Sequence, residues 1–244
     1  MLKTFAGARL FGAAYGEGVP WVLALPGWEH THLDFDAALS TSDAIALDLP
    51  GFGAAPQPPE AWTTRQYADH VAPVLEEMAP RIVVLGHSFG GKVAVHLAAA
   101  HPERVAALVL TGVPLVRPFG ARRRRPAAGV RLAKALRRAH LVSDQRLEQA
   151  RRKRGSEDYR RSSGVMRGVL VKSVNETHEA QLSAFPGPVE LIWGAEDEQV
   201  PLAVADAALA LCGDGHLEVI AGVGHFVPRD RPVALAEALA RHRP

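Results

Sequence analysis

Scarcities bound this 244-residue sequence before any motif is read. Cysteine occurs once, at Cys212, so no internal disulfide can form and a reducing compartment is the expected setting. Long apolar runs are missing. No stretch reaches the roughly 18 residues that a membrane-spanning helix needs, so no membrane partner is expected. The opening MLKTFAGARLFGAAYGEG lacks the continuous apolar segment of a signal peptide, which predicts no export by that route and a cytoplasmic location. No G-x-x-x-x-G-K-[ST] or dinucleotide fingerprint occurs, and no cluster has metal-ligand spacing with supporting acids. Neither a cofactor nor a metal is therefore expected.

What is present is apolar and regular enough to fold. Hydrophobic residues make up 48% of the chain and charged residues 22%, outside the disordered range, and the length suits one core domain or a core carrying an insertion. The net charge of +2 conceals a division. Residues 113–184 carry 15 Arg and 3 Lys against 6 Asp or Glu, whereas the remainder carries 10 basic and 20 acidic residues. Two units with different surfaces are expected. The basic unit suits either an anionic substrate or a set of solvated helix faces. The run Arg122–Arg125 has no interleaved aromatics and no nucleic-acid motif around it, so no nucleic-acid partner is expected.

Trp21–Leu25 and Ala44–Leu47 are short apolar runs followed by Pro-Gly turns, and Arg81–Leu85 ends at Gly86. Val105–Leu110, Val189–Trp193 and Leu217–Ile220 are built alike. Such runs predict strands buried on both faces of a parallel sheet. Helical patterns lie between them, over Arg65–Met78, Gly90–Ala100, Ala203–Leu211 and Pro232–His242. In the first, Tyr67, Val71, Val74, Leu75 and Met78 form one apolar stripe. The alternation predicts an α/β fold with a mostly parallel, twisted sheet flanked by helices. Thr4–Leu10 and Ala13–Tyr15 predict an antiparallel hairpin at one edge.

The basic middle breaks this alternation. It holds one stripe at Leu132, Ala135, Leu136 and Ala139, and a second at Val165, Met166, Val169, Leu170 and Val174, with Ser156 as a candidate N-cap. No convincing strand occurs there. An all-helical cap at 113–184, inserted in a core of 1–112 and 185–244, is the expected organisation.

Gly86-His87-Ser88-Phe89-Gly90 joins a predicted strand to a predicted helix. A nucleophile on so sharp a turn needs small residues on both sides, because the backbone is crowded there. The turn lifts the hydroxyl above the sheet, near a helix N-terminus whose N–H groups favour developing negative charge.

At this point the chain resembles the α/β-hydrolase superfamily over nearly its whole length. Leu25-Pro26-Gly27-Trp28 is similar to the loop that supplies half of that family's oxyanion hole, and Asp48-Leu49-Pro50-Gly51-Phe52-Gly53 to the turn after its fourth strand. Trp193-Gly194-Ala195-Glu196-Asp197, with Pro201 four residues on, is similar to the acid turn. Gly222-Val223-Gly224-His225-Phe226 is similar to the histidine loop. The order Ser88, Asp197, His225 is the order this family uses.

The resemblance implies Ser88 as nucleophile, His225 as base and Asp197 as the acid that orients it, with the backbone N–H groups of Trp28 and Phe89 as oxyanion hole. Glu196 and Glu198 flank the acid and remain alternatives to it, though the Gly-x-x-Asp spacing favours Asp197. His87 is expected to pack beside the nucleophile, and His96 and His101 to be structural. His30 and Phe226, and Val165, Met166 and Val169 of the cap, are candidate pocket residues, with Leu170 beside them; core packing is the competing role for the cap set. His32 either joins His30 at the pocket entrance or faces solvent.

Substrate is harder to read. A Ser nucleophile is unlike the dehalogenases and epoxide hydrolases of this fold, which use Asp. Meta-cleavage C–C hydrolases favour Asn before the nucleophile and Trp after the histidine, where His87 and Phe226 stand here. Proline iminopeptidases favour Trp after the Ser, where Phe89 stands. His87-Ser88-Phe89-Gly90-Gly91 is common in carboxylesterase-like members, and Ser156–Glu176 is similar to uncharacterised bacterial members of that group. A carboxylesterase of small esters is the leading expectation. A C–C hydrolase or lyase of a carboxylate-bearing small molecule, with Arg160, Arg161 and Arg167 as cap cations, stays open, as does a non-catalytic small-molecule binder on this scaffold. Monomer and homodimer are equally compatible with the sequence.

Overall fold

A computed structural model describes residues 2–116 and 157–244. The stripe at 132–139, the basic run at 122–125 and the N-cap expected at residue 156 lie outside the described residues.

Eight strands form one sheet: β1 (Lys3–Phe5), β2 (Leu10–Tyr15), β3 (Val22–Leu25), β4 (Ala44–Asp48), β5 (Ile82–His87), β6 (Val105–Thr111), β7 (Val189–Gly194) and β8 (Gly215–Ile220). Their spatial order is β1-β2-β4-β3-β5-β6-β7-β8. β2 runs antiparallel to both neighbours, so the N-terminal hairpin closes one edge as expected, and every other pairing is parallel.

Alternation along each strand builds two cores. Leu23, Leu25, Ile45, Leu47, Val84 and Leu110 face one side, where α1 (Thr64–Val71) and α2 (Phe89–Ala100) pack. Val22, Ala24, Ala46, Val83, Leu85 and Val109 face the other, against Phe35, Leu39 and the C-terminal helix (Pro232–Arg241). Burial on both faces is why these strands read as unbroken apolar runs. β8 departs from that pattern: it is an edge strand, and its residues are exposed or half-buried.

α1 starts at a capping box, in which Thr63 accepts from the Gln66 N–H and the Gln66 side chain accepts from the Thr63 N–H. The helix expected to run to Met78 instead ends at Val71 and tightens into a 3-10 segment, Ala72–Glu77. Pro73 supplies the reason, since it has no N–H to continue the α-helical ladder. Val74 and Leu75 stay buried all the same.

After β6, the described part of the basic insertion holds only helices: α3 (Glu157–Arg161), α4 (Gly164–Asn175) and α5 (Glu179–Ala184). α5 packs on α2 and places Leu182 in the core. Beyond β7, α6 (Leu202–Leu209) covers the first face, followed by α7 (Val227–Asp230) and the C-terminal α8 (Pro232–Arg241). Among the described residues no helix is long and apolar enough to cross a membrane.

Candidate active site

Ser88 occupies the junction of β5 and α2 with φ 48° and ψ −111°. A side chain at positive φ costs about 1–3 kcal/mol and persists only where the surroundings fix it. Here the Ser88 N–H donates to the Thr111 carbonyl at 3.0 Å, and the Gly91 N–H donates to the Ser88 carbonyl at 3.2 Å. Larger flanking residues would not fit. A Cβ on Gly86 would overlap the Cα of Gly91, and one on Gly90 would overlap the Leu25 carbonyl oxygen.

Two more loops converge on this turn. Asp197 follows β7 and His225 follows β8, and both are buried. His225 Nδ1 lies 2.8 Å from Asp197 Oδ2. The other carboxylate oxygen accepts from the N–H groups of Gln199 (2.9 Å) and Val200 (2.7 Å), which fixes the acid's orientation. Glu196 and Glu198 are exposed, so of the three adjacent acids it is Asp197 that meets the ring. With the carboxylate at Nδ1, the neutral imidazole keeps its proton there and its lone pair at Nε2. Gly112 leaves room for the ring, because a Cβ there would stand 2.8 Å from His225 Cε1.

His87 supports this loop. Its Nε2–H donates to the His225 backbone carbonyl at 3.0 Å, and the two rings lie 4.9 Å apart. Burial, reinforced by repulsion from the neighbouring His225, pulls His87 down to about 3, so it stays neutral. His32 turns away from the site: its backbone N–H and ring Nδ1 both reach Asp48, which also accepts from the Ala54 N–H. Asp48 thus ties the loop after β3 to the turn after β4.

Ser88 and His225 line two cavities, of about 630 Å³ and about 540 Å³, which also share Trp28, Asp158 and Gln199. The first adds Glu29, His30, His87, Arg161 and Phe226 among others. The second adds Phe89, Lys92, Leu115, Leu170 and Ser173 among others. Trp28 and Phe89 therefore border the space next to Ser88, and Phe89 opens α2, so its N–H has no acceptor within the helix. Helix α3 lines both spaces, and α4 lines the second. Among the described residues no group of three or more His, Cys, Asp or Glu is placed to hold a metal ion.

His30 and Phe226 line the first cavity. The proposed cap wall is corrected. Val165, Met166 and Val169 line neither cavity; Met166 and Val169 are buried in the core, and Val165 packs against it half-buried. α4 turns that side toward the core and presents Leu170, Ser173 and Val174 to the second cavity. Of the three cap arginines, Arg161 reaches the first cavity and pairs with Glu157 and, at 3.9 Å, with Glu29. Arg167 folds onto the Ser162 carbonyl and over the Tyr159 ring. Lys92, Asp158 and Gln199 went unread. Lys92 left a trace, because it and His96 are the only polar side chains in α2, four residues apart on one face.

The sequence profile of the alpha/beta hydrolase family matches residues 22–238, and the chain belongs to that family. Over 97% of its length it is 28% identical to the dihydrolipoyllysine-residue acetyltransferase component of the acetoin cleaving system of Cupriavidus necator, spanning 67% of that protein. The serine hydrolase involved in carbazole degradation (CarC) superposes with a TM-score of 0.72 at 21% identity, over 99% of this chain and 98% of that one. A thermophilic esterase from Thermogutta terrifontis gives 0.67 at 21% identity, over 99% and 97%. At these identities the structural likeness speaks for the fold.

Proposed function

We propose that the protein is a serine hydrolase of small carboxylic esters, working through a covalent acyl-enzyme. One observation carries the reading: His225, paired with Asp197 at 2.8 Å, borders the same cavities as Ser88, which sits strained at a strand-to-helix turn.

In this reading Ser88 Oγ attacks the ester carbonyl while His225 Nε2 takes its proton. Asp197 holds the Nδ1–H tautomer and stabilises the imidazolium that forms. The N–H groups of Phe89 and Trp28 receive the oxyanion, and losing one such donor typically costs about a hundred- to a thousandfold in rate. His225 returns the proton to the departing alcohol. Water, activated by the same ring, then attacks the acyl-enzyme to release the acid and restore Ser88.

A fluorophosphonate probe should label the wild-type protein and leave Ser88→Ala unlabelled, with ester turnover following the same pattern. Undiminished turnover by Ser88→Ala refutes the assignment. Absence of labelling in the wild type would favour a binding protein on this scaffold.

A further inference from the structure

We propose that Lys92 makes the second cavity a receptor for a substrate carboxylate, so that the preferred esters are half-esters of short dicarboxylic acids. The inference deepens the esterase reading and rests on it for the chemical step, in which water is consumed and a diacid and an alcohol are released.

Lys92 is 5% exposed and lines the cavity that also holds Ser88. Its Nζ donates to the Ser173 carbonyl at 2.9 Å and to Ser173 Oγ at 3.1 Å. Both acceptors are neutral, and an ammonium carries a third N–H. Among the described residues no carboxylate lies within ion-pair distance of Nζ. Glu176 is near enough to favour the charge, but its carboxylate accepts from the Thr64 N–H at 3.2 Å and the Thr64 hydroxyl at 2.5 Å. Burial pulls Lys92 down to about 8, which leaves it mostly protonated near neutrality.

Strapping α2 to α4 does not account for this choice of residue. Two neutral acceptors call for a donor and not for a charge, and placing a charge there takes it out of water. The position supplies a reason. Lys92 is one helical turn beyond Ser88, a rise of roughly 6 Å, and side chains on a helix lean toward its N-terminus, here toward Ser88. Leu115, Val116, Leu170 and Val200 give the same cavity an apolar lining for methylenes. The far carboxylate of a short diacid ester attacked at Ser88 would receive the third N–H as a charge-assisted bond.

The test compares monoethyl adipate with ethyl hexanoate, esters of equal acyl length that differ at the far end, and measures kcat/KM for each by acid release. Wild-type protein should favour the adipate half-ester by tenfold or more, the usual scale of a bond to a charged group. Lys92→Met and Lys92→Gln should each collapse that ratio, chiefly through KM, while Lys92→Arg should restore part of it. The Gln variant keeps a donor for Ser173, so loss of the strap alone would not reproduce its effect. Separately, free adipate should raise the melting temperature of the wild type more than hexanoate does, a difference the Met and Gln variants should lack. Turnover with no preference between the esters, or a preference unchanged in both neutral variants, overturns the inference and leaves the esterase reading standing. Lys92-dependent adipate binding without turnover upholds the inference and removes the esterase reading. Absence of both the ester preference and adipate binding removes the inference outright.

Discussion

Replacing Lys92 with Met should change how stability responds to alkali, by an amount the structure sets. The ammonium falls from an ordinary 10.5 to about 8 because burial disfavours the charge, with Glu176 opposing the shift only in part. At about 1.4 kcal/mol per pH unit, that difference is about 3 kcal/mol. The folded pKa is the depressed one. Between roughly pH 8 and 10.5 the unfolded chain therefore keeps a proton that the folded protein has released, and raising the pH favours folding. The associated stability is present above the unfolded pKa and is lost as pH falls through about 8. Glu176, Asp158, His96 and His178 surround this part of the fold, and burial holds both histidines below their ordinary value, away from that window. Tyr15 and Tyr67 are raised chiefly by burial, but they are present in both proteins and cancel in the comparison. Urea unfolding followed by tryptophan fluorescence gives the free energy for each protein at about pH 7 and about pH 10. Near neutrality Lys92→Met should match or exceed the wild type, because an apolar side chain replaces a charge without a carboxylate partner. That advantage should shrink by about 3 kcal/mol on the way to pH 10.5. A difference that stays constant across this range would show that Nζ keeps its water in the folded protein, and the reasoning would fail.

Two further outcomes follow from the same geometry. Asp197→Asn should lower kcat for ester hydrolysis by about ten-thousandfold through loss of the required tautomer, whereas Glu198→Gln, at an exposed neighbour, should leave it within about threefold. On the acid side, His87 and His178 are held neutral to about 3, each chiefly by burial, with His225 and His30 opposing protonation of His87 and Asp34 favouring it. Lys92 and His96 oppose protonation of His178. The unfolded chain takes up these protons below about 6.5, so stability is lost as pH falls from there, at up to about 1.4 kcal/mol per unit for each ring. His87→Gln should therefore flatten the acid limb of the unfolding free energy; an unchanged limb would mean that the ring titrates in place.

The legible parts of this molecule are those where one physical cause acts alone. β3 to β7 are buried on both faces, so their sequences are short apolar runs stopped by Pro or Gly, with Glu190 the one charge inside such a run. The turn at Ser88 is legible because backbone crowding admits only small residues on either side, and the sequence supplies Gly86, Gly90 and Gly91. Where two causes give the same pattern, the sequence is silent between them. The stripe of Val165, Met166, Val169 and Leu170 is apolar whether it walls a pocket or packs on a sheet, and α4 divides it, sending Met166 and Val169 to the core and Leu170 to the cavity. The stripe through Met78 survives a change of helix type, so periodicity hid the break at Pro73. Short elements such as the 3-10 turn at His32–Phe35 and α7 hold too few residues to show a period. Lys92 is the instructive miss. Lysine is ordinarily a surface residue, and only its setting in an otherwise apolar helix marks it as unusual. A charge kept there against the cost of burial, one turn from the nucleophilic Ser88 proposed here, is better explained by what enters the cavity than by the two neutral bonds it makes to Ser173.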